Sequence, residues 1–190
     1  MDFKKLLVIP IIFAFVATAF LAFIPQVEQP SLPTNTFSMK ITSSAFIHEQ
    51  SIPQKYSRTG ENINPPLSIR DVPETAKSLV LIMHDPDVPK DLRPDGNFDH
   101  WIVFNIPPQT TEIAEGQNPS GTLGANTRGD LAYGGPNPPY GVHRYFFKLY
   151  ALDSMLDVPA GANRVQVELA MKDHIFAQAE LMGKYEKENN

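Results

Sequence analysis

"GGPNPPYGVHRYFFKLYALD", residues 134–153, sets two kinds of backbone against each other. Its first half resists regular structure, because glycine admits positive φ and close approach while proline fixes its own φ and carries no donor. From His143 onward the same stretch is a strand candidate dense in aromatic residues. Successive strand side chains point to opposite faces, so His143, Tyr145 and Phe147 share one face and Arg144, Phe146 and Lys148 the other. A stiff turn placed directly before three hydrogen-bonding side chains suits a small site held open at a strand end. Gly134 and Gly135 also allow backbone N–H groups to be aimed into a concavity that favours anions.

The segments around this one are of the same kind. "FSMKITS" (37–43), "SLVLIMHD" (78–85) and "HWIVFNI" (100–106) are further strand candidates separated by proline-rich turns. In the last of these, alternation puts His100, Ile102 and Phe104 opposite Trp101, Val103 and Asn105. Helical patterns between the strands are missing, which argues for a mainly β sandwich or distorted barrel rather than βαβ units. One region has near-helical spacing: in residues 163–187, Val165, Leu169, Ile175, Phe176, Ala179 and Leu181 recur with Gly183 as a stop. It predicts a short helix or two packed on the sheet edge.

Composition bounds the function. A chain of 190 residues accommodates one domain and a short appendage. Its 18 prolines, about twice ordinary usage, call for many turns and short elements. A net charge of -5 without clustered Lys and Arg argues against nucleic acid as a partner. With no cysteine, disulfides, thiolate metal sites, cysteine nucleophiles and lipoprotein-type acylation are excluded.

The N-terminus is directed at a membrane. Lys4 and Lys5 precede an apolar run from Leu6 to Ile24, long enough to cross a bilayer at about 20 residues. Residues 1–24 are therefore a signal peptide or a membrane anchor. The length of the run favours the anchor, although Ala17-Thr18-Ala19 offers a cleavage site. The lysines place the following domain outside the cytoplasm, so the protein is expected to be anchored facing outward, or secreted or periplasmic if cleaved. Residues 25–36, polar and punctuated by proline, form a spacer; 37–185 form the folded domain and 186–190 a polar tail.

Chemistry gathers at strand ends. "HDPDVP" (84–89) places Asp85 and Asp87 either side of a proline, where carboxylates commonly accept backbone hydrogen bonds in Asx turns. If Asp85, His100 and His143 converge beneath the glycine-proline rim, two imidazoles and a carboxylate line one small cup. Arg144 faces away by parity, and its expected partner is Asp87. A second reading assembles His84, Asp85, Asp87, His100 and His143 into a metal-assisted hydrolase. It lacks an HExxH motif and a nucleophile elbow, which makes catalysis the weaker reading.

Four stretches, "IPQKYSRTGENINPPLSI" (52–69), "LVLIMHDPDVP" (79–89), "FDHWIVFNIP" (98–107) and the opening one, occur in the order and spacing of the phosphatidylethanolamine-binding protein family. The chain most resembles the bacterial and archaeal, Raf-kinase-inhibitor-like branch, from about Phe37 to Tyr185. The resemblance implies a β-sandwich of two antiparallel sheets with C-terminal helix and a small anion pocket at one end. By position that pocket takes Asp85, His100, Gly135, Pro136, His143 and Tyr145, with Asp87, Pro89 and Arg144 as loop scaffold. The ligands it implies are phosphate-containing or anionic small molecules, including phospholipid head groups, bound without catalysis or cofactor. A protease-inhibiting or signalling role toward a partner protein is the further alternative. Prokaryotic members commonly carry Cys where this chain has Arg58 and Asn137, so thiol chemistry of that kind does not carry over.

Overall fold

A computed structural model describes residues 39–187, so the expected anchor and spacer lie outside the described residues. Its strands are β1 (Lys40–Thr42), β2 (Leu67–Arg70), β3 (Ser78–Asp85), β4 (Phe98–Ile106), β5 (Glu112–Ile113), β6 (Thr122–Leu123), β7 (Val142–Leu152) and β8 (Ile175–Glu186). Among the described residues one α-helix, α1 (Arg164–Met171), precedes β8, and a single 3-10 turn spans Gln54–Tyr56. The strands make two antiparallel sheets, ordered β1-β2-β5 and β6-β4-β3-β7-β8.

Why β3 has no polar face follows from its position at the centre of the larger sheet. Leu79, Leu81 and Met83 face the small sheet and meet Ile41, Leu67 and Ile69 in the main core, together with Trp101, Val103, Phe147 and Leu149. Val80 and Ile82 face the other way and join Ile102, Phe104, Val167 and Met171 beneath α1. With both faces covered, all eight residues of β3 are buried. A continuous apolar run is the sequence form of such a strand. β7 instead alternates: His143, Tyr145 and Phe147 are buried, whereas Arg144 is exposed and Phe146 and Lys148 are half-exposed.

The helical expectation for 163–187 is half right. Residues 164–171 form α1, opened by a capping box in which the Asn163 side chain accepts from Gln166 N–H and Gln166 accepts from Asn163 N–H. Its buried face is Val167 and Met171, not the anticipated Val165 and Leu169, which are each 73% exposed. Asn163→Ala should lower stability by about 1 kcal/mol through loss of that cap, measurable as a shifted urea midpoint with unchanged slope.

After α1 a turn through Asp173, at φ 67°, leads into β8, so a second helix is replaced by a strand. β8 pairs along the whole of β7, from Val142↔Glu186 to Leu152↔Ile175. The segment has a second period: Ala177, Ala179, Leu181 and Tyr185 alternate onto the core. Gly183, read as a helix stop, lies inside the strand, at a place where a Cβ would come within 2.5 Å of Ile52 and 2.8 Å of Phe46. The open hydrogen-bonding edge of β7 selects the strand, a tertiary choice overriding local helix propensity.

Candidate functional site

β3 runs antiparallel to both of its neighbours, so its C-terminal end lies beside the N-terminal ends of β4 and β7. That topology brings Asp85, His100, His143 and Tyr145 around one cavity of about 180 Å³. His143 Nδ1 and Asp85 Oδ2 are 2.7 Å apart and both side chains are almost fully buried. Asp85 Oδ1 also accepts from Asp87 N–H at 2.8 Å. The Asx turn and the site are thus one structure, since one carboxylate oxygen serves each. Burial pushes Asp85 up from the ordinary carboxylate range, opposed by the hydrogen bonds from His143 and Asp87.

His100 is in the cavity against simple alternation. Parity with Ile102 and Phe104 puts it under the helix, but the β3–β4 register jumps from Met83↔Trp101 to His84↔Asp99, leaving His100 as an extra residue. This bulge turns His100 to the side of Trp101, where its ring meets Tyr145 edge-on at 5.2 Å and Phe98 at 4.7 Å. Bulges commonly re-aim side chains beside functional sites. Asp99 is left on the helix side, paired with Arg164 at 3.0 Å.

The glycine-proline rim is pinned on both flanks. Gly134 N–H donates to the His100 carbonyl at 2.9 Å, and the Gly134 carbonyl accepts from His100 Nδ1 at 2.6 Å. Gly135 N–H donates to Asn62 Oδ1 at 2.8 Å, and the Pro136 carbonyl accepts from Arg58 N–H at 2.9 Å. The expectation that these glycine N–H groups are aimed at an anion is therefore corrected: both are spent on protein acceptors. Gly135 lines the cavity, whereas Pro136 is buried behind the rim and does not. Asp87 accepts from Arg144 N, Nε and Nη2 at 2.9, 2.8 and 2.6 Å, the expected pair, and the Arg144 hydrogen bond holds the Asp87 carboxyl below its ordinary range. The Pro89 carbonyl caps the turn that carries Leu92 and Arg93, accepting from both their N–H groups.

Three polar atoms in this place lack protein partners. Among the described residues, no group meets hydrogen-bond geometry with Nε2 of His100 or of His143. The Tyr145 hydroxyl is buried and meets hydrogen-bond geometry with no protein group, and burial, followed by the nearby Asp85 carboxylate, pushes the phenol far up. Burial also lowers His100 to about 4, so its ring is neutral at physiological pH.

Positive charge comes from residues that sequence reading did not single out. Arg93 and Arg128 line the mouth, their guanidinium carbons 5.9 and 5.6 Å from the Phe98 ring centre. Arg128 is set there by Asn126, whose Oδ1 accepts from Arg128 N–H and Asp130 N–H, and by paired hydrogen bonds between Thr127 and Asp99. Val88, Leu92, Pro138 and Pro139 complete an apolar collar. Loop arginines follow no period, so no sequence signal marks them.

The ligand set of the metal reading is not gathered. His84 lies on the helix side of β3, stacked on Phe146 at 5.5 Å with Nδ1 3.1 Å from Asn97 Oδ1. Asp87 is held by Arg144, and among the described residues no group of three His, Asp or Glu is placed to hold a metal ion.

Comparison with known proteins agrees with this architecture. The chain is 50% identical over 150 residues to the UPF0098 protein of Chlamydia trachomatis, covering 79% of this chain and all of that one. It is 46% identical over 155 residues to the UPF0098 protein of Methanothermobacter thermautotrophicus, covering 78% of this chain and 99% of the relative. A crystal structure of a phosphatidylethanolamine-binding protein homologue, CT736, from Chlamydia trachomatis superposes with a TM-score of 0.78 at 49% identity, covering 80% of this chain and 100% of that chain. YbcL of E. coli, described as a member of the mammalian PEBP family, gives 0.70 at 27% identity, covering 80% and 99%. The profile described as phosphatidylethanolamine-binding protein matches residues 42–186, which include every strand end that builds the cavity, and on that match this chain belongs to the phosphatidylethanolamine-binding protein family.

Proposed function

We propose that the chain is a non-catalytic binding protein whose cavity receives a phosphoryl or similar anionic group on a small molecule, a lipid head group or a partner protein. One observation carries the reading: polar atoms without protein partners, on His100, His143 and Tyr145, converge at the floor of a cavity whose mouth holds Arg93 and Arg128. Buried polar groups are normally satisfied, so an orphaned hydroxyl beside two free ring nitrogens is a place for a ligand oxygen. Arg128 at the entrance supplies countercharge, since Arg pairs readily with phosphate. Arg93 adds a shared one, its guanidinium already held by the Asp95 carboxylate at 3.2 Å and the Asn97 carbonyl at 2.8 Å.

Each charge-assisted hydrogen bond contributes about 1.5–3 kcal/mol, against about 4–15 kcal/mol for immobilising a ligand. Free phosphate should accordingly bind weakly, with apolar contacts from the collar adding affinity for a larger ligand. On sequence grounds we place the domain outside the cytoplasmic membrane, tethered or exported by residues 1–24. Membrane fractionation of the expressed full chain tests that placement.

The pocket itself is tested by titrating the protein with inorganic phosphate and following backbone amide shifts. Saturable shifts at His100, Gly135 and Tyr145 are expected. Tyr145→Phe should weaken binding roughly fivefold while leaving stability unchanged or raised by up to about 1 kcal/mol, because the hydroxyl it removes has no partner. No saturable shift, or full affinity in both Tyr145→Phe and Arg128→Ala, would overturn the reading.

A further inference from the structure

We propose that the cavity takes up its phosphoryl ligand together with one proton, shared between His100 Nε2 and a ligand oxygen. It therefore takes phosphomonoesters or inorganic phosphate as monoanions in preference to phosphodiesters. The inference rests on the phosphoryl-binding reading above and narrows it.

The tautomer of His100 is fixed by geometry. Its Nδ1 lies 2.6 Å from the Gly134 carbonyl, which has no proton to give, so Nδ1 carries the hydrogen. The same glycine donates its N–H to the His100 carbonyl, and Phe98 and Tyr145 flank the ring. Turning the ring over would break that hydrogen bond. What His100 offers is thus Nε2, a lone pair in the neutral ring, and burial keeps the ring neutral down to about pH 4.

A fully deprotonated oxyanion carries only acceptors. At His100 it would set lone pair against lone pair, with the Asp85 carboxylate close by. A ligand oxygen bearing a proton turns that contact into an O–H···N hydrogen bond. If the proton sits instead on Nε2, the complex has the same composition, so the proton count does not depend on which atom holds it.

The other ionisable groups facing this point come from each surrounding element. β3 supplies Asp85, β7 supplies His143 and Tyr145, and the loops supply Arg93 and Arg128. His84, on the far side of β3, and His143 both disfavour a charge on His100. The arginines stay charged at every relevant pH, so they attract anions without discriminating between protonation states. We assign the discrimination to His100, the ring whose tautomer is fixed by a partner that can only accept, the Gly134 carbonyl.

A phosphomonoester holds its last proton with a pKa of about 6, whereas a phosphodiester has none to offer near neutrality. Calorimetry on the wild-type protein with phosphoethanolamine, glycerophosphoethanolamine and sulfate separates the cases, because the first two share an ammonium group and differ at the phosphate. From pH 5 to pH 8 the affinity for phosphoethanolamine should fall at least about tenfold, as its monoanion is depleted. At pH 8, buffers of different ionisation enthalpy should report about one proton taken up per ligand bound. Glycerophosphoethanolamine and sulfate should bind at least tenfold more weakly than phosphoethanolamine at pH 5.

Equal binding of the monoester and the diester, or no proton uptake at pH 8, would overturn the inference and leave phosphoryl binding standing. A pH dependence shared by sulfate would also overturn it, since the titrating group would then belong to the protein. If none of the three ligands binds at any pH, the phosphoryl-binding reading itself falls.

Discussion

Asp85→Ala is expected to lower stability by about 3–5 kcal/mol, the usual result of removing one partner from a buried hydrogen-bonded pair. The carboxylate does two things at once. Oδ2 meets His143 Nδ1 with both side chains about 95% buried, and Oδ1 receives the Asp87 N–H that shapes the following loop. Alanine leaves the His143 ring nitrogen without a partner in a place water barely reaches. It also frees the turn that positions Asp87 for Arg144 and, beyond Pro89, Arg93 at the mouth. Asp85→Asn should be milder, because an amide oxygen can still accept from Asp87. Urea denaturation of the two variants checks the ranking. A loss below 1 kcal/mol for alanine would mean that the pair is not what holds these strand ends together.

Gly135→Ala is expected to cost about 1–3 kcal/mol or more and to weaken phosphate binding at least tenfold, by moving the rim rather than by removing a contact. A Cβ on residue 135 would lie 2.7 Å from the Ser57 carbonyl carbon and 2.8 Å from Arg58 N. Those neighbours are backbone and cannot rotate aside. The segment from Gln54 to Ser57 is itself a tight turn, closed by Tyr56 N–H to Pro53 and Ser57 N–H to Gln54, and is tied to the rim through Tyr133 Oη to the Tyr56 carbonyl at 2.9 Å. Relief must come from lifting residues 134–139, which breaks the Gly134 clamp on His100. Gly134→Ala is the control: its Cβ would approach only the Asn126 side chain at 3.4 Å and the His100 carbonyl at 3.6 Å. Thermal melts with phosphate titrations of both variants test the claim, and equal behaviour at the two positions would sink it.

Strand content, and much of the site, could be read along the chain. The apolar runs at 78–85 and 100–106 announced buried strands because both sides of the larger sheet are covered, one by the smaller sheet and one by α1. His143 and Tyr145 were placed on one face by alternation, which β7 obeys throughout. Arg144 was matched to Asp87 by exclusion from that face. These are local regularities, set by the pleat of a single strand.

Other features required the assembled molecule. β8 has residues that satisfy both a helical and an alternating period, and the unpaired edge of β7 decided between them. Arg93 and Arg128 sit in irregular loops 35 residues apart in the numbering, and only the folded chain brings both beside Phe98.

The sequence by itself determined the inventory of this protein: which residues form strands, which carry protons and charge, and where glycine and proline make the backbone stiff. Tertiary structure decided the facing of His100, because one extra residue against β3 reverses a side chain and no pattern within β4 records its partner's register. It also decided which hydrogen bonds were already spent. The glycine N–H groups proved to be satisfied by Asn62 and His100, whereas the Tyr145 hydroxyl and the two ring nitrogens were left open. Whether a polar atom is free depends on what lies beside it in space, and proximity across sixty or seventy residues is a property of the fold alone.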